Sequence, residues 1–170
     1  PVVGAFRVRR AAELNRRIRR LIVGVDSAEG ARALNEEAMK IGKPFEVRLE
    51  IDTGAKRTGA AADHVLSLAR QICQLPGLRL TGIYTFKGLV YEGQVTTDPK
   101  AAGQEEGRLM HNVFEMLKQN GISITDISAG STPTGEAVAA TGLVNEIRPG
   151  TYVFYDYMCY KEGACTPDEI

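Results

Sequence analysis

Glycine, hydroxyl and proline residues follow one another in the stretch Ser-Ala-Gly-Ser-Thr-Pro-Thr-Gly, residues 128–135. This stretch comes directly after the apolar, β-branched run Ile122 to Ile127, which predicts a buried strand. A strand that ends in this way exposes backbone N–H groups and side-chain O–H groups at one point, with no bulky side chain in the way. These are the donors that a phosphate group requires.

A second turn rich in donors, Arg-Pro-Gly-Thr-Tyr at 148–152, lies at the end of another apolar segment. Two such strand ends close together would form a phosphate cup at one rim of a parallel sheet or barrel. The spacing alone equally allows two ordinary loop turns, so the cup depends on the fold.

Two arginines occupy similar positions in the sequence. Arg57 lies just after a predicted strand, beside two glycines, and Arg148 opens the second turn. A guanidinium at such a point can donate hydrogen bonds to a ligand oxygen or ring substituent without losing its charge. The alternative for either arginine is a salt bridge to Asp52 or to another carboxylate at the rim.

Aromatic residues cluster near the end of one predicted strand. Tyr84, Phe86 and Tyr91 lie close together in a chain with only 6% aromatic residues, as a flat ligand ring would require. Packing in the core is the alternative for each of them. The two histidines, His64 and His111, lie on predicted helices without a partner at metal-ligand spacing, so we expect them at the surface.

The composition argues against nucleic acid and membrane partners. The 170 residues carry 21 basic and 21 acidic side chains, so no overall field attracts a polyanion. The arginine-rich segment 1–20 allows a nucleic-acid arm, but the scarcity of aromatic residues favours a solvated helix face. No apolar run approaches the roughly 20 residues that span a bilayer. Three cysteines at unpatterned spacings favour free thiols in a reducing, cytoplasmic compartment.

Strands and helices alternate along the rest of the chain. Strands are predicted at 21–25, 45–51, 78–84, 122–127 and within 143–155, with helices after Ser27, over 65–73 and from Asp98 to Gly121. This rhythm predicts βαβ units in a parallel sheet, either doubly wound or just over half of a (β/α)8 barrel. No GxGxxG follows the first strand, and the polar residues cluster after each strand; both facts favour a partial TIM-type barrel.

Four of these strand ends resemble a known pattern. Asp-Thr-Gly-Ala-Lys-Arg-Thr-Gly at 52–59 is similar to the Asp-x-Gly-x-x-Arg-x-Gly signature of fold-type III pyridoxal-phosphate enzymes, the alanine racemase barrel. Three more specific stretches, at 82–91, 129–134 and 146–156, resemble the D-serine dehydratase and D-threonine aldolase branch of that superfamily. The resemblance covers essentially the whole chain, in the order of the family.

The resemblance implies a binding role for eight residues. Four of them match positions that hold the phosphate of pyridoxal 5'-phosphate, two match arginines near the pyridine O3' and the ring nitrogen, and two match tyrosines that line the cofactor. These are, in that order, Ser131, Thr132, Gly150 and Thr151; Arg57 and Arg148; and Tyr84 and Tyr91. Racemases usually carry a histidine where this chain has Phe86, which argues against plain alanine racemization.

The resemblance also implies what residues 1–170 lack. The family's Schiff-base lysine lies in a His-x-Lys-Thr-His-like stretch that would precede Pro1, and neither Lys56 nor Lys87 takes its place. The β-domain that carries a divalent metal ion of the zinc or manganese class would follow Ile170. We therefore expect residues 1–170 to be a single partial barrel domain without a catalytic residue of its own.

The resemblance implies that the intact protein is a pyridoxal-phosphate-dependent lyase. Its substrates would be β-hydroxy D-amino acids, as in a D-threonine aldolase or a D-serine dehydratase, and it would be a homodimer. Two alternatives stay open: an amino-acid racemase on the same scaffold, and a non-catalytic protein that only binds the cofactor.

Overall fold

A four-stranded parallel sheet forms the centre of the molecule, and its strands are neighbours in chain order. The computed structural model describes all 170 residues. In chain order the elements are α1 (Ala5–Arg17), β1 (Ile22–Val25), α2 (Ala28–Ile41), β2 (Phe45–Ile51), α3 (Val65–Cys73), β3 (Leu78–Thr85), β4 (Val90–Tyr91), β5 (Gln94–Val95), α4 (Pro99–Gln119), β6 (Asp126–Ser128), α5 (Gly135–Ala139), α6 (Tyr157–Lys161) and a 3₁₀ turn (Pro167–Glu169). Strands β1, β2, β3 and β6 form the sheet, and β4 pairs with β5 as a hairpin.

The three helices whose bounds the sequence predicts, α2, α3 and α4, begin and end where expected. The Ser27 hydroxyl accepts a hydrogen bond from the Gly30 N–H at the start of α2, and Gly42 ends that helix with a φ of 66°. Asp98 caps α4 in the same way and is followed by a proline, whose missing N–H costs nothing at this position. The segment 1–20 contains α1, with its arginines exposed.

The two faces of the sheet differ in character. One face is apolar and packs under the helices, and β2 illustrates it with Val47 and Leu49, both fully buried. The opposite face carries charged and polar side chains, among them Arg48, Glu50 and Tyr84. Such an alternation along each strand separates a helix-covered face from one that can hold polar groups.

Arg48 connects three parts of the polar face. Its Nη2 donates to Asp126 Oδ2 on β6 at 3.0 Å, and its Nη1 donates to Glu146 Oε1 at 2.6 Å. These carboxylates lie 78 and 98 residues further along the chain. One guanidinium therefore ties the middle of the sheet to the segment that follows α5.

The parallel alternation of strands and helices is confirmed, but two of the predicted strands are wrong in extent. The strand predicted at 122–127 begins only at Asp126. The fifth strand, predicted within 143–155, is a single parallel bridge between Ser128 and Glu146. The reason is that Gly130, with a φ of 87°, turns the chain after β6 into α5, so residues beyond Arg148 have no extended neighbour to pair with.

The hairpin of β4 and β5 was not predicted from the sequence. Its turn residues Glu92 and Gly93 both have positive φ values, 47° and 76°. Such a turn is usually signalled by Asn-Gly or Asp-Gly, and a glutamate in this conformation is uncommon.

None of the helices combines the length and the hydrophobicity that a membrane span requires.

We predict that Arg48→Ala lowers the free energy of unfolding by about 3 kcal/mol, because two partly buried carboxylates lose their cation. Urea denaturation of the purified chain measures the change as a lower midpoint. Arg17→Ala is the matched control, since its pair with Glu13 is exposed and should change stability by less than about 1 kcal/mol. Equal effects of the two substitutions would contradict the structural role of Arg48.

Candidate functional site

A cleft of about 350 Å³ lies at the carboxyl end of the sheet. Three segments line it: the loop after β3, the turn after β6, and the segment that runs from Arg148 through α6. Because the carboxyl ends of parallel strands meet at one edge, the chain brings these distant segments together. Five of the eight predicted binding residues line this cleft: Ser131, Thr132, Arg148, Gly150 and Thr151.

Three donors in the cleft converge on one oxygen. The Gly150 N–H, the Thr151 N–H and the Thr151 hydroxyl all donate to Thr132 Oγ1, each at 3.0 Å. A hydroxyl oxygen has only two lone pairs, so three donors aimed at it exceed what it can accept well. A phosphate oxygen has the charge and the acceptor capacity to satisfy such a set, and the residues present therefore fit the phosphate group of the implied cofactor.

The turn that carries Ser131 rests on a carboxyl group that the sequence analysis missed. Glu106 of α4 is fully buried, and it accepts hydrogen bonds from the Gly130 N–H and the Thr134 hydroxyl, both at 3.1 Å. Burial raises the pKa of Glu106, although these two hydrogen bonds oppose the shift. The spacing carried a signal: Glu106 shares the buried face of its helix with Ala102 and Met110.

Arg148 is held by neutral oxygens rather than by a carboxylate. Its guanidinium donates to Ser128 Oγ and to the Thr85 carbonyl oxygen. The Ser128 hydroxyl in turn donates to Glu146 Oε1 at 2.5 Å, the oxygen that also accepts from Arg48. The salt-bridge alternative for Arg148 is therefore not what the structure shows, and its charge remains uncompensated by a direct partner.

Arg57 lies at the mouth of the cleft. Its guanidinium carbon is 4.3 Å from the centre of the Phe86 ring, and Phe86 lines the cleft. Asp52 forms no ion pair with it; instead, Asp52 Oδ1 accepts from the Gly54 and Lys56 N–H groups. The predicted alternative of an Asp52–Arg57 salt bridge is wrong.

The two predicted tyrosines lie in different places. Tyr84 lies below Arg148, whose guanidinium carbon is 5.5 Å from the tyrosine ring centre, and its hydroxyl donates to Glu50 at 2.9 Å. Gly24 makes room for it, since a Cβ there would lie 2.2 Å from the Tyr84 oxygen. Tyr91 is in β4, and neither tyrosine is among the residues that line the cleft.

Lys87 follows β3 but does not point into the cleft. Its side chain is buried, pairs with Glu105 and donates to the Val90 carbonyl oxygen, so that it ties the loop after β3 to α4. No group of three or more His, Cys, Asp or Glu residues in the chain is placed to hold a metal ion. The three cysteines are free thiols.

The sequence model described as "Alanine racemase, N-terminal domain" matches residues 2–158. This chain belongs to that family. The alanine racemase N-terminal domain fold therefore accounts for the parallel sheet, and the predicted fold class is confirmed. The solved structure of D-threo-3-hydroxyaspartate dehydratase from Delftia sp. HT23 superposes with a TM-score of 0.88 at 32% identity, over 100% of this chain and 45% of that protein.

The relatives of this alanine racemase-like chain confirm the predicted branch. The dehydratase from Delftia sp. is 33% identical over 96% of this chain and 44% of its own length. D-serine dehydratase from Dictyostelium discoideum is 33% identical over 96% of this chain and 45% of its own length. D-threonine aldolase from Arthrobacter sp. is 28% identical over 91% and 41%, respectively. The chain thus spans less than half the length of these relatives.

We predict a specific alkaline loss of stability that depends on Tyr84. Burial, followed by the neighbouring Glu50 carboxylate, raises the pKa of the Tyr84 hydroxyl above its ordinary value of 10.0. The folded chain therefore keeps this proton where the unfolded chain loses it. The resulting stabilisation is complete below that ordinary value and declines as the pH rises above it.

Urea midpoints at about pH 8 and about pH 11 measure this decline. Tyr84→Phe should lose less stability between the two conditions than the wild-type chain does, because the phenylalanine has no proton to lose. An identical decline in both proteins would contradict the assignment.

Proposed function

We propose that this alanine racemase-like chain holds the phosphate of pyridoxal 5'-phosphate, and that the intact protein is a lyase acting on β-hydroxy D-amino acids. The observation that carries the proposal is the convergence of three donors on the position of Thr132 Oγ1. The relatives support it, since they are named as dehydratases and aldolases of hydroxylated D-amino acids. When bound, the cofactor supplies an electron sink for carbanion chemistry at the substrate.

Four residues of the cleft would bind the phosphate group. Ser131 and Thr132 come from the turn after β6, and Gly150 and Thr151 come from the segment beyond Glu146. Their short hydroxyls and N–H groups leave space at the centre, and a Cβ at Gly150 would meet nothing within 4 Å. The phosphate would anchor the cofactor and so fix the position of its ring.

The arginines would act on the ring. Arg148 would face the ring nitrogen, where its fixed positive charge disfavours a second positive charge and thus protonation of that nitrogen. Arg57 would lie near O3'. Tyr84 and Tyr91 would contact the ring from outside the present cleft lining, and Tyr84 already lies under Arg148.

Further parts of the proposal rest on the resemblance alone. They are a divalent metal ion of the zinc or manganese class that assists loss of water or carbon–carbon cleavage at the β-hydroxyl, a homodimer, and a cytoplasmic location. The lysine that binds the cofactor covalently and the metal ligands are expected outside residues 1–170. A racemase is the second candidate, and Phe86, whose ring lines the cleft, argues against it because it cannot transfer a proton.

We predict that Thr132→Val weakens binding of pyridoxal 5'-phosphate about tenfold, because a hydrogen bond to a charged group is lost from the cup. Binding of pyridoxal, which has no phosphate, should be unchanged. Equilibrium dialysis of each ligand against the chain measures both affinities. Thr97→Val, on an exposed threonine outside the cleft, is the control, and equal losses for both ligands would contradict a phosphate site.

We predict that the intact protein, supplied with pyridoxal 5'-phosphate and Zn²⁺ or Mn²⁺, consumes D-serine, D-threonine or D-threo-3-hydroxyaspartate. Release of ammonia with an α-keto acid indicates a dehydratase, and release of an amino acid with an aldehyde or an α-oxo acid indicates an aldolase. Interconversion of alanine enantiomers, followed by chiral chromatography, would instead support the racemase. Cofactor binding without turnover of any of these substrates would support a non-catalytic carrier.

A further inference from the structure

Helix α4 closely approaches both the turn after β6 and the residues that follow α5. A Cβ at Gly103 would lie 2.7 Å from the Thr134 carbonyl oxygen, and a Cβ at Gly107 would lie 2.9 Å from Thr141 Oγ1. Only residues without a side chain fit at these two positions, which are four apart and so lie on one side of the helix. The close approach allows the side chain of Glu106, between them, to reach the backbone of the turn.

The hydrogen bonds that Glu106 accepts determine which groups donate in the hydrogen bonds between Thr134 and Ser131. The Thr134 hydroxyl has a single proton, which it donates to Glu106 Oε2 at 3.1 Å. Thr134 Oγ1 is therefore left as an acceptor for the Ser131 N–H at 3.0 Å and for the Ser131 hydroxyl at 3.1 Å. The other carboxyl oxygen accepts from the Gly130 N–H and holds that glycine at its φ of 87°.

The charges around Glu106 allow a carboxylate at this depth. Lys87 and Arg148 are the cations whose fields favour its ionised form. Lys87 is itself buried and paired with Glu105 on the same helix. Glu106 is fully buried and has no solvent contact, so it has no role on the surface of the protein. The two groups that donate to it, the Gly130 N–H and the Thr134 hydroxyl, both belong to the turn that opens the cleft.

We propose that Glu106 is a positioning residue for the phosphate cup: it holds Gly130 and, through Thr134, Ser131 in the conformation that places the turn, and with it Thr132, at the cleft. The inference rests on the proposed function as far as the ligand is concerned. The ordering of the turn by Glu106 does not depend on any ligand. It can therefore be measured separately.

Glu106→Gln tests the ordering of the turn. The variant keeps the volume of the side chain but replaces one acceptor oxygen by an NH₂ donor. Either the Gly130 N–H or the Thr134 hydroxyl then faces a donor instead of an acceptor. Amide hydrogen exchange of the unliganded chain should become about tenfold faster at Gly130 and Ser131, corresponding to the loss of one buried hydrogen bond. Exchange in β1 and β2 should stay the same. Glu115→Gln, on the outer side of the same helix, is the control.

The pair Thr134→Val and Thr134→Ser separates positioning from packing. Thr134→Val removes the hydroxyl that links Glu106 to Ser131 and should reproduce the faster exchange at Ser131. Thr134→Ser keeps that hydroxyl and should retain slow exchange. Combining Glu106→Gln with Thr134→Val should add little at Ser131, because both act through one hydrogen bond. If Glu106→Gln does not fold, the threonine pair decides the question alone.

Ligand binding completes the test. Glu106→Gln should bind pyridoxal 5'-phosphate about tenfold more weakly and should bind pyridoxal as the wild-type chain does. Unchanged exchange at Gly130 and Ser131, or equal loss of both ligands, would overturn the inference. If the wild-type chain binds pyridoxal 5'-phosphate no more tightly than pyridoxal, the proposed function fails. The exchange measurements alone then decide whether Glu106 orders the turn.

Discussion

The guanidinium of Arg48 carries the connection between the sheet and the cleft. It lies on the polar face of strand β2 and donates to Asp126 and Glu146 through its two terminal nitrogens. A planar guanidinium suits this task, because its donors diverge at fixed angles and remain charged. A lysine would offer one point charge and could not hold two carboxylates in a defined geometry. The segment beyond α5, which forms no strand of its own, is thereby held against the end of β6.

The same connection continues to the residues expected to face the cofactor ring. Glu146 accepts from both Arg48 and Ser128, and Ser128 accepts from Arg148. The carboxylate thus neutralises Arg48, while Arg148 is fixed through a hydroxyl and a carbonyl oxygen and keeps its charge available to a ligand. Glycines on β1 and β3 make this arrangement possible, since a Cβ at Gly24 or Gly82 would enter the space of Tyr84 or Asp126.

The sequence predicted the sheet well because buried parallel strands and capped helices are local features. The alternation of apolar and charged residues at 45–51 and the caps at Ser27 and Asp98 needed no knowledge of distant residues. The fifth strand was mispredicted because pairing depends on a neighbour, and Gly130 removes that neighbour by turning the chain away. Tyr84 and Tyr91 are close in sequence, but Tyr84 lies in β3 and Tyr91 in an unpredicted hairpin, and neither is among the residues that line the cleft.

Within the site, the sequence revealed the donors but not the group that orders them. Serine, threonine and glycine after a strand are recognisable as phosphate ligands, whereas Glu106 is marked only by the helix face that it shares with Ala102 and Met110. Its depth follows from Gly103 and Gly107, and the meaning of their spacing appears only when the partner turn is in place. Relatives with this fold are named for different reactions, so the fold alone does not fix the reaction, and the supports of the turn and the residues at the mouth of the cleft are places where this chain can differ from them. Arg57 stacked on Phe86 occupies that mouth here, where a guanidinium and an apolar ring can select a ligand by charge and shape but cannot exchange protons with it.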